Sequence, residues 1–237
     1  GMSLKKLHRL IVTSSTYRQD SKASPSLLEK DPQNRLLARG PRFRLSGELI
    51  RDHMLQASGK LSGKMFGPGV YPPQPLTVLA HAFGNKSWNA SKGEDRYRRS
   101  IYTFIKRTAP FAGFMTFDGT SGENCLAKRD RSNTPLQALT LLNDEMYLEL
   151  ARSAGEKVHQ TKDDPIHSLF RRFLTRPPKQ SETDALRAYY EQQIQRLEKG
   201  EIKPSDITAT PKATPELAGK ILLARAIMNL DEAITKP

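Results

Sequence analysis

The four residues Thr134-Pro135-Leu136-Gln137 constrain the fold more tightly than any other stretch of the chain. A threonine that can cap, a proline at the first helical position, where an N–H would lack a partner anyway, and a glutamine able to reach back to the cap together start a helix. Apolar residues then recur at Leu136, Leu139, Leu142, Met146 and Leu150, with Ala138, Leu141 and Tyr147 widening the face. This spacing predicts one buried helix running to about His159. The same grammar recurs elsewhere. Ser46 with Glu48, Asp164-Pro165, Ser181 to Asp184, and Thr214-Pro215-Glu216 each open a run of apolar residues at helical spacing.

A chain punctuated this way folds as a mainly α protein. We expect a single irregular helical-bundle domain over residues 1–237, with long Pro/Gly-rich loops and one short hairpin or strand pair. Residues 1–96 hold N-terminal helices and a Pro-rich loop, 97–159 the central motif and core helix, and 160–237 the C-terminal helices. Leu4, Leu7, His8 and Ile11 predict an amphipathic helix over Ser3 to Ser14, and Asp20 to Arg35 reads as a loop with one helical turn. From Ser58 to Asn89, glycines and prolines dominate, and Tyr71, His81, Phe83 and Trp88 mark either a lid over a pocket or packing cover for the core. Arg98 to Thr108 fits a short strand, with Ile101, Thr103 and Ile105 on one face, or a helix. Phe111, Phe114, Met115 and Phe117 read as apolar anchors on a loop, and Glu201 to Ala213 as a further loop.

The net charge is +13 over 237 residues, which favours anionic partners, but the basic residues are spread along the chain. Between Arg96 and Arg131 eight Lys/Arg face three Asp/Glu, and no uninterrupted basic arm or base-reading helix stands out. No run is apolar enough to span a membrane. Gly1 ahead of Met2 has the look of a tag remnant, so the chain reads as a piece of a longer protein. Gly59-Lys60-Leu61-Ser62-Gly63-Lys64-Met65 is not a phosphate loop: one spacer residue is missing and Met65 stands where a hydroxyl should be. The chain also lacks HExxH, a nucleophile elbow and a dinucleotide glycine pattern. The single Cys125 offers neither a disulfide nor a thiolate metal cluster, and no haem attachment motif is present. No cofactor and no metal is expected.

Two kinds of site remain. Lys128, Arg129 and Arg131 lie just before the Thr134 helix start, whose exposed N–H groups favour anions; with Arg98, Arg99, Asn133 and Thr134 they form a candidate ligand-binding set. The plain alternative is salt bridges to nearby carboxylates. Arg35, Arg39, Arg42, Arg44 and Arg51 form a second such cluster around the Ser46 helix start. Asp118 and Glu123 could share a cation or act as an acid/base pair, although no third ligand lies within sequence reach.

Several stretches carry a family resemblance. RRSIYTFIKRT (98–108), FDGTSGENC (117–125), RSNTPLQALTLLND (131–144), LHRLIVTSSTYRQ (7–19), NRLLARGPRFRLSGELIRD (34–52), LFRRFLTRPP (169–178) and LARAIMNLDE (223–232) resemble the C-terminal domain of unknown function of large planctomycete multidomain proteins. That resemblance implies an exported or cell-surface parent that often carries a cytochrome c-like domain; it transfers no catalytic residues. The leading expectation is a non-catalytic binding or interaction module that recognises an acidic or sulfated polysaccharide or neighbouring domains, the cytochrome c-like domain among them. The alternatives are a hydrolase or redox-associated enzyme built around Asp118, Glu123, Arg99 and Arg129, and, on charge alone, nucleic-acid binding, the least supported partner.

Overall fold

The computed structural model describes residues 3–79, 87–123, 125–210 and 213–236. The chain divides into two compact units, Gly1–Leu45 with Thr235–Pro237, and Ser46–Ile234. Among the described residues there are eleven α-helices and one two-stranded antiparallel sheet, the mainly α fold that the helix starts predict.

The first unit holds α1 (Leu4–Thr13), α2 (Pro25–Lys30) and strands β1 (Phe43–Arg44) and β2 (Thr235–Lys236). The expected strand pair is not a hairpin: Phe43 lies opposite Lys236 and Arg44 opposite Thr235, from the two ends of the chain. The Lys236 ammonium lies over the Tyr17 ring at 4.9 Å. Residues 31–39 close on themselves. The Asp31 carboxylate accepts from the Arg35 and Leu36 N–H groups, both at 2.8 Å, and the Arg39 guanidinium donates to the Asp31 and Pro32 carbonyls. Arg39 is thus a loop-closing residue. α1 has the apolar stripe its spacing predicts, but none of its residues is buried in this chain.

The second unit contains α3 (Gly47–Ser58), α4 (Ala112–Thr116), α5 (Pro135–Asn143), α6 (Glu145–His159), α7 (Pro165–Leu174), α8 (Gln180–Glu198), α9 (Pro204–Thr208), α10 (Pro215–Met228) and α11 (Asp231–Ile234). Thr214 caps α10, its hydroxyl accepting from the Leu217 N–H. Apolar on almost every side, α10 packs against α6, α7, α8 and α9 and buries Ala218, Ile221, Leu222, Leu223, Ala224, Ile227 and Met228. Each large side chain so buried contributes about 1.5–3 kcal/mol. Helices α6 and α10 approach so closely that a Cβ on Gly155 would stand 2.8 Å from the Ile221 Cα.

Four local expectations are corrected. The predicted helix from Thr134 to His159 is two helices, because Asp144 takes extended backbone and its carboxylate accepts from the Met146 N–H at 2.9 Å, capping α6. Leu136 and Leu139 consequently face outward, at 61% and 53% exposed, while Leu141 is buried. Helix α8 begins at Gln180, one residue before Ser181, since Glu182 reaches back to the Lys179 N–H at 2.7 Å. Of the anchors at 111–117, Phe114 and Met115 lie on the short helix α4 instead of a loop, with Phe111 and Phe117 as its caps, and the 201–213 loop contains α9.

Residues 93–105 form neither an α-helix nor a regular strand. They make 3₁₀ turns over Gly93–Tyr97 and Ser100–Tyr102, then one parallel bridge between Thr103 and Val70. In the Pro-rich region Trp88 is buried beside Leu79, Ala109 and Phe111, and its indole N–H donates to the Pro72 carbonyl at 2.7 Å. Trp88 therefore works as cover for the core. His81 and Phe83 lie outside the described residues.

Candidate functional site

The site begins with an arginine turned inward. Arg51, on α3, is fully buried, and its guanidinium donates to the Arg98 carbonyl at 2.7 Å, the Arg96 carbonyl at 3.1 Å and the Ser100 hydroxyl at 3.3 Å. Removal from water pushes its pKa down to about 10, against the opposing pull of Asp52 and Tyr147. Next to it, the Asp52 carboxylate accepts from the Ser100 N–H at 2.7 Å. These bonds fix the irregular 96–100 segment against α3. From the other side Arg96 donates to Glu149 at 2.9 Å and to Glu145 at 3.0 Å, and the Tyr97 hydroxyl donates to Glu149. Burial first, then Glu149, raises the Tyr97 hydroxyl to about 12, so it stays a proton donor at neutral pH.

The segment so held forms one wall of a cleft of about 440 Å³. Its lining is mostly apolar. α3 contributes Leu49 beside Glu48 and Asp52; residues 100–105 contribute Ile101, Thr103, Phe104 and Ile105; and residues 110–115 contribute Phe111, Phe114 and Met115. Several of these side chains stand largely in solvent: Ile101 is 83% exposed, Ile105 68% and Leu49 55%. Gly119, Thr120 and Arg129 close the rim. Arg129 Nη1 sits between both Glu48 carboxylate oxygens, at 2.8 and 2.9 Å. Burial pushes the Glu48 carboxyl up, but its own backbone N–H, Arg129 and the Ser46 hydroxyl outweigh that and hold it below the usual range. The rim thus carries an ion pair and little net charge. In the wall, the Thr103 hydroxyl is buried without a hydrogen-bond partner among the described residues.

The residues proposed from sequence are placed in several different environments. Arg98 is fully buried: it donates to the Pro68 carbonyl at 3.0 Å and to the Phe66 carbonyl, and it stacks over Tyr102 at 3.8 Å. Arg98 thereby pins the Phe66-Gly67-Pro68 loop from inside and presents no donor to solvent. Arg99, Lys128, Arg131, Asn133 and Thr134 are exposed, and Arg129 is committed to Glu48. Of the second basic cluster, Arg51 is interior and Arg44 donates to the Leu45 carbonyl. The Asp118 carboxylate accepts from the Ser132 N–H at 2.7 Å and from the Ser132 hydroxyl at 2.8 Å, while Glu123 is exposed. Gln137, buried below the Thr134 helix start, donates to the Thr116 carbonyl and to Ser132. Asp118 and Gln137 thus hold the chain entry into α5 in place.

What sequence reasoning missed is the cleft lining, Leu49, Asp52, Phe104 and Phe114 above all. The available signal was the alternation of Ile101, Thr103 and Ile105 within a strongly basic stretch, where apolar side chains had no obvious core to enter.

A protein-family model matches residues 1–190: PSD1, described as a protein of unknown function (DUF1553). No curated protein and no solved structure matches the chain.

Proposed function

Since the chain belongs to the PSD1 family of proteins of unknown function, and that description assigns no chemistry, we propose a function from the cleft: a non-catalytic interaction module that holds an apolar portion of another polypeptide. The observation that carries this reading is the joining of Leu49, Ile101, Phe104, Ile105 and Met115, all more than a third exposed, around one cavity. Contiguous apolar surface of this kind on a water-facing protein marks an interaction site. The Glu48–Arg129 pair at the rim adds orientation with little net charge. Asp118, spent on Ser132, supplies no reason to add a reaction. Neighbouring domains of a longer exported protein, including a cytochrome c-like domain, are the partners the family resemblance suggests.

Panning a displayed library of random peptides on the whole chain tests the reading, with Ile101→Asp/Ile105→Asp as the counter-target and circular dichroism to confirm its fold. Enriched peptides should be rich in Leu, Ile or Phe and bind the double variant at least about tenfold more weakly, about 1.4 kcal/mol. Equal binding to both chains, or no enrichment, removes the cleft as the site.

A second reading, recognition of an acidic or sulfated polysaccharide, draws on the exposure of Lys128 and Arg131 in a chain of net charge +13. It predicts saturable binding to sulfated glycans, above binding to neutral glycans and DNA at near-physiological salt, that Lys128→Glu/Arg131→Glu abolishes. Retention in that variant would reduce the interaction to general charge.

A further inference from the structure

One wall of the cleft has a backbone edge without hydrogen-bond partners among the described residues. The Val70 N–H donates to the Tyr102 carbonyl at 2.7 Å and the Phe104 N–H donates to the Val70 carbonyl at 2.8 Å, the two bonds of a parallel bridge centred on Thr103. A trans peptide is planar with its C=O and N–H opposed, so the Thr103 carbonyl points away from Val70. Thr103 itself is extended, at φ −63° and ψ 126°, and its N–H turns back to the Ser100 carbonyl. Neither the Thr103 carbonyl nor the backbone of Ile105 has a hydrogen-bond partner among the described residues. Past the isolated bridge, residues 104–106 carry no regular structure; a strand continued through them would have its next rung on this side at Ile105, since alternate residues of an extended chain send their backbone groups the same way.

The charge around this edge has one sign. Arg99, Lys106 and Arg107 flank it, and no acidic residue occurs between Tyr97 and Asp118. The acids on the opposite wall are already engaged: Glu48 by Arg129 and Asp52 by the Ser100 N–H.

Resting on the interaction-module reading above, we infer that the occupant is an extended peptide with an apolar centre and acidic flanks, which adds as a strand to the Thr103–Ile105 edge and lowers an apolar side chain into the cleft. Strand addition gains affinity from main-chain bonds and specificity from pockets for alternate side chains. Each element needed is present: a cavity that Thr103 and Ile105 both line, a Thr103 carbonyl and a buried Thr103 hydroxyl that lack a partner among the described residues, and a basic surround.

The test takes peptides enriched on the whole chain, resynthesises them with one backbone nitrogen methylated at a time, and measures binding to the native chain, Ile105→Pro and Lys106→Glu/Arg107→Glu. Methylation at alternate positions should weaken binding at least about tenfold, leaving the positions between unaffected. Ile105→Pro should weaken the unmodified peptide, and the charge reversal should favour peptides with Lys in place of Asp or Glu. Indifference to methylation at every position overturns strand addition without relying on any protein variant. If such peptides still distinguish the native chain from Ile101→Asp/Ile105→Asp, the cleft remains the site and only the strand geometry fails; loss of that distinction removes both.

Discussion

At the scale of single residues, most charge in this protein faces outward, but two arginines, Arg51 and Arg98, are turned fully inward. Arg51, fully buried, forks onto two carbonyls and a hydroxyl. Arg51→Met should therefore cost about 3–5 kcal/mol, because it leaves the Arg96 and Arg98 carbonyls buried and unpaired; urea unfolding of the two chains measures it. Arg176 shows the opposite, partly exposed arrangement, bridging Glu182 and Glu232 with bonds of 2.6 to 2.8 Å. The Arg176 hydrogen bonds, against the opposing effect of burial, hold the Glu182 carboxyl at about 2, where the ordinary value is 4.5. A depressed carboxyl contributes stability that is present above pH 4.5 and is lost as pH falls toward 2. Thermal melts should show Arg176→Gln less stable than the native chain at pH 6, with the gap shrinking across that window. An unchanged gap would assign the stabilisation to packing of Arg176 over Phe170 instead. Neither role was legible in sequence: Arg51 and Arg98 stand among neighbours that look equally solvated, and direction in space is not written in spacing along the chain.

At the scale of elements, close approach decides what is tolerated. On Gly155 of α6 an added methyl meets the backbone of Ile221, with the nitrogen at 2.9 Å and the Cα at 2.8 Å; on Gly219 of α10 it meets mainly the tip of Ile194 at 2.5 Å. Backbone cannot yield as a side-chain end can. Gly155→Ala should thus cost about 1–3 kcal/mol despite the helix propensity alanine adds, and Gly219→Ala should cost less; paired denaturation curves rank them. The helix starts at Thr134, Asp164 and Thr214 were readable because a cap is a local bargain between one side chain and the next turn. The break at Asp144 was not, since aspartate there could have faced solvent within a longer helix. Trp88 and Phe111 were readable only as large apolar groups needing cover, and their stacking at 6.1 Å between ring centres depends on residues twenty-three positions apart meeting.

At the scale of the whole molecule, every buried apolar residue described lies between Ile50 and Ile234. Amides of α1 and α2 should accordingly exchange with solvent at least about a hundredfold faster than those of α6 and α10, which open only with the core. Mass-resolved hydrogen exchange gives the comparison, and equal protection would mean that α1 is covered in solution. The mainly helical class followed from repeated local signals, whereas the cleft joins residues 48–52, 100–105, 110–115 and 129, separations over which no local pattern speaks. The wall that Arg51, Asp52 and Glu149 brace is already ordered before anything meets it. The entropy lost on docking then falls almost wholly on the guest, so among guests with the same contacts the stiffest should stay longest.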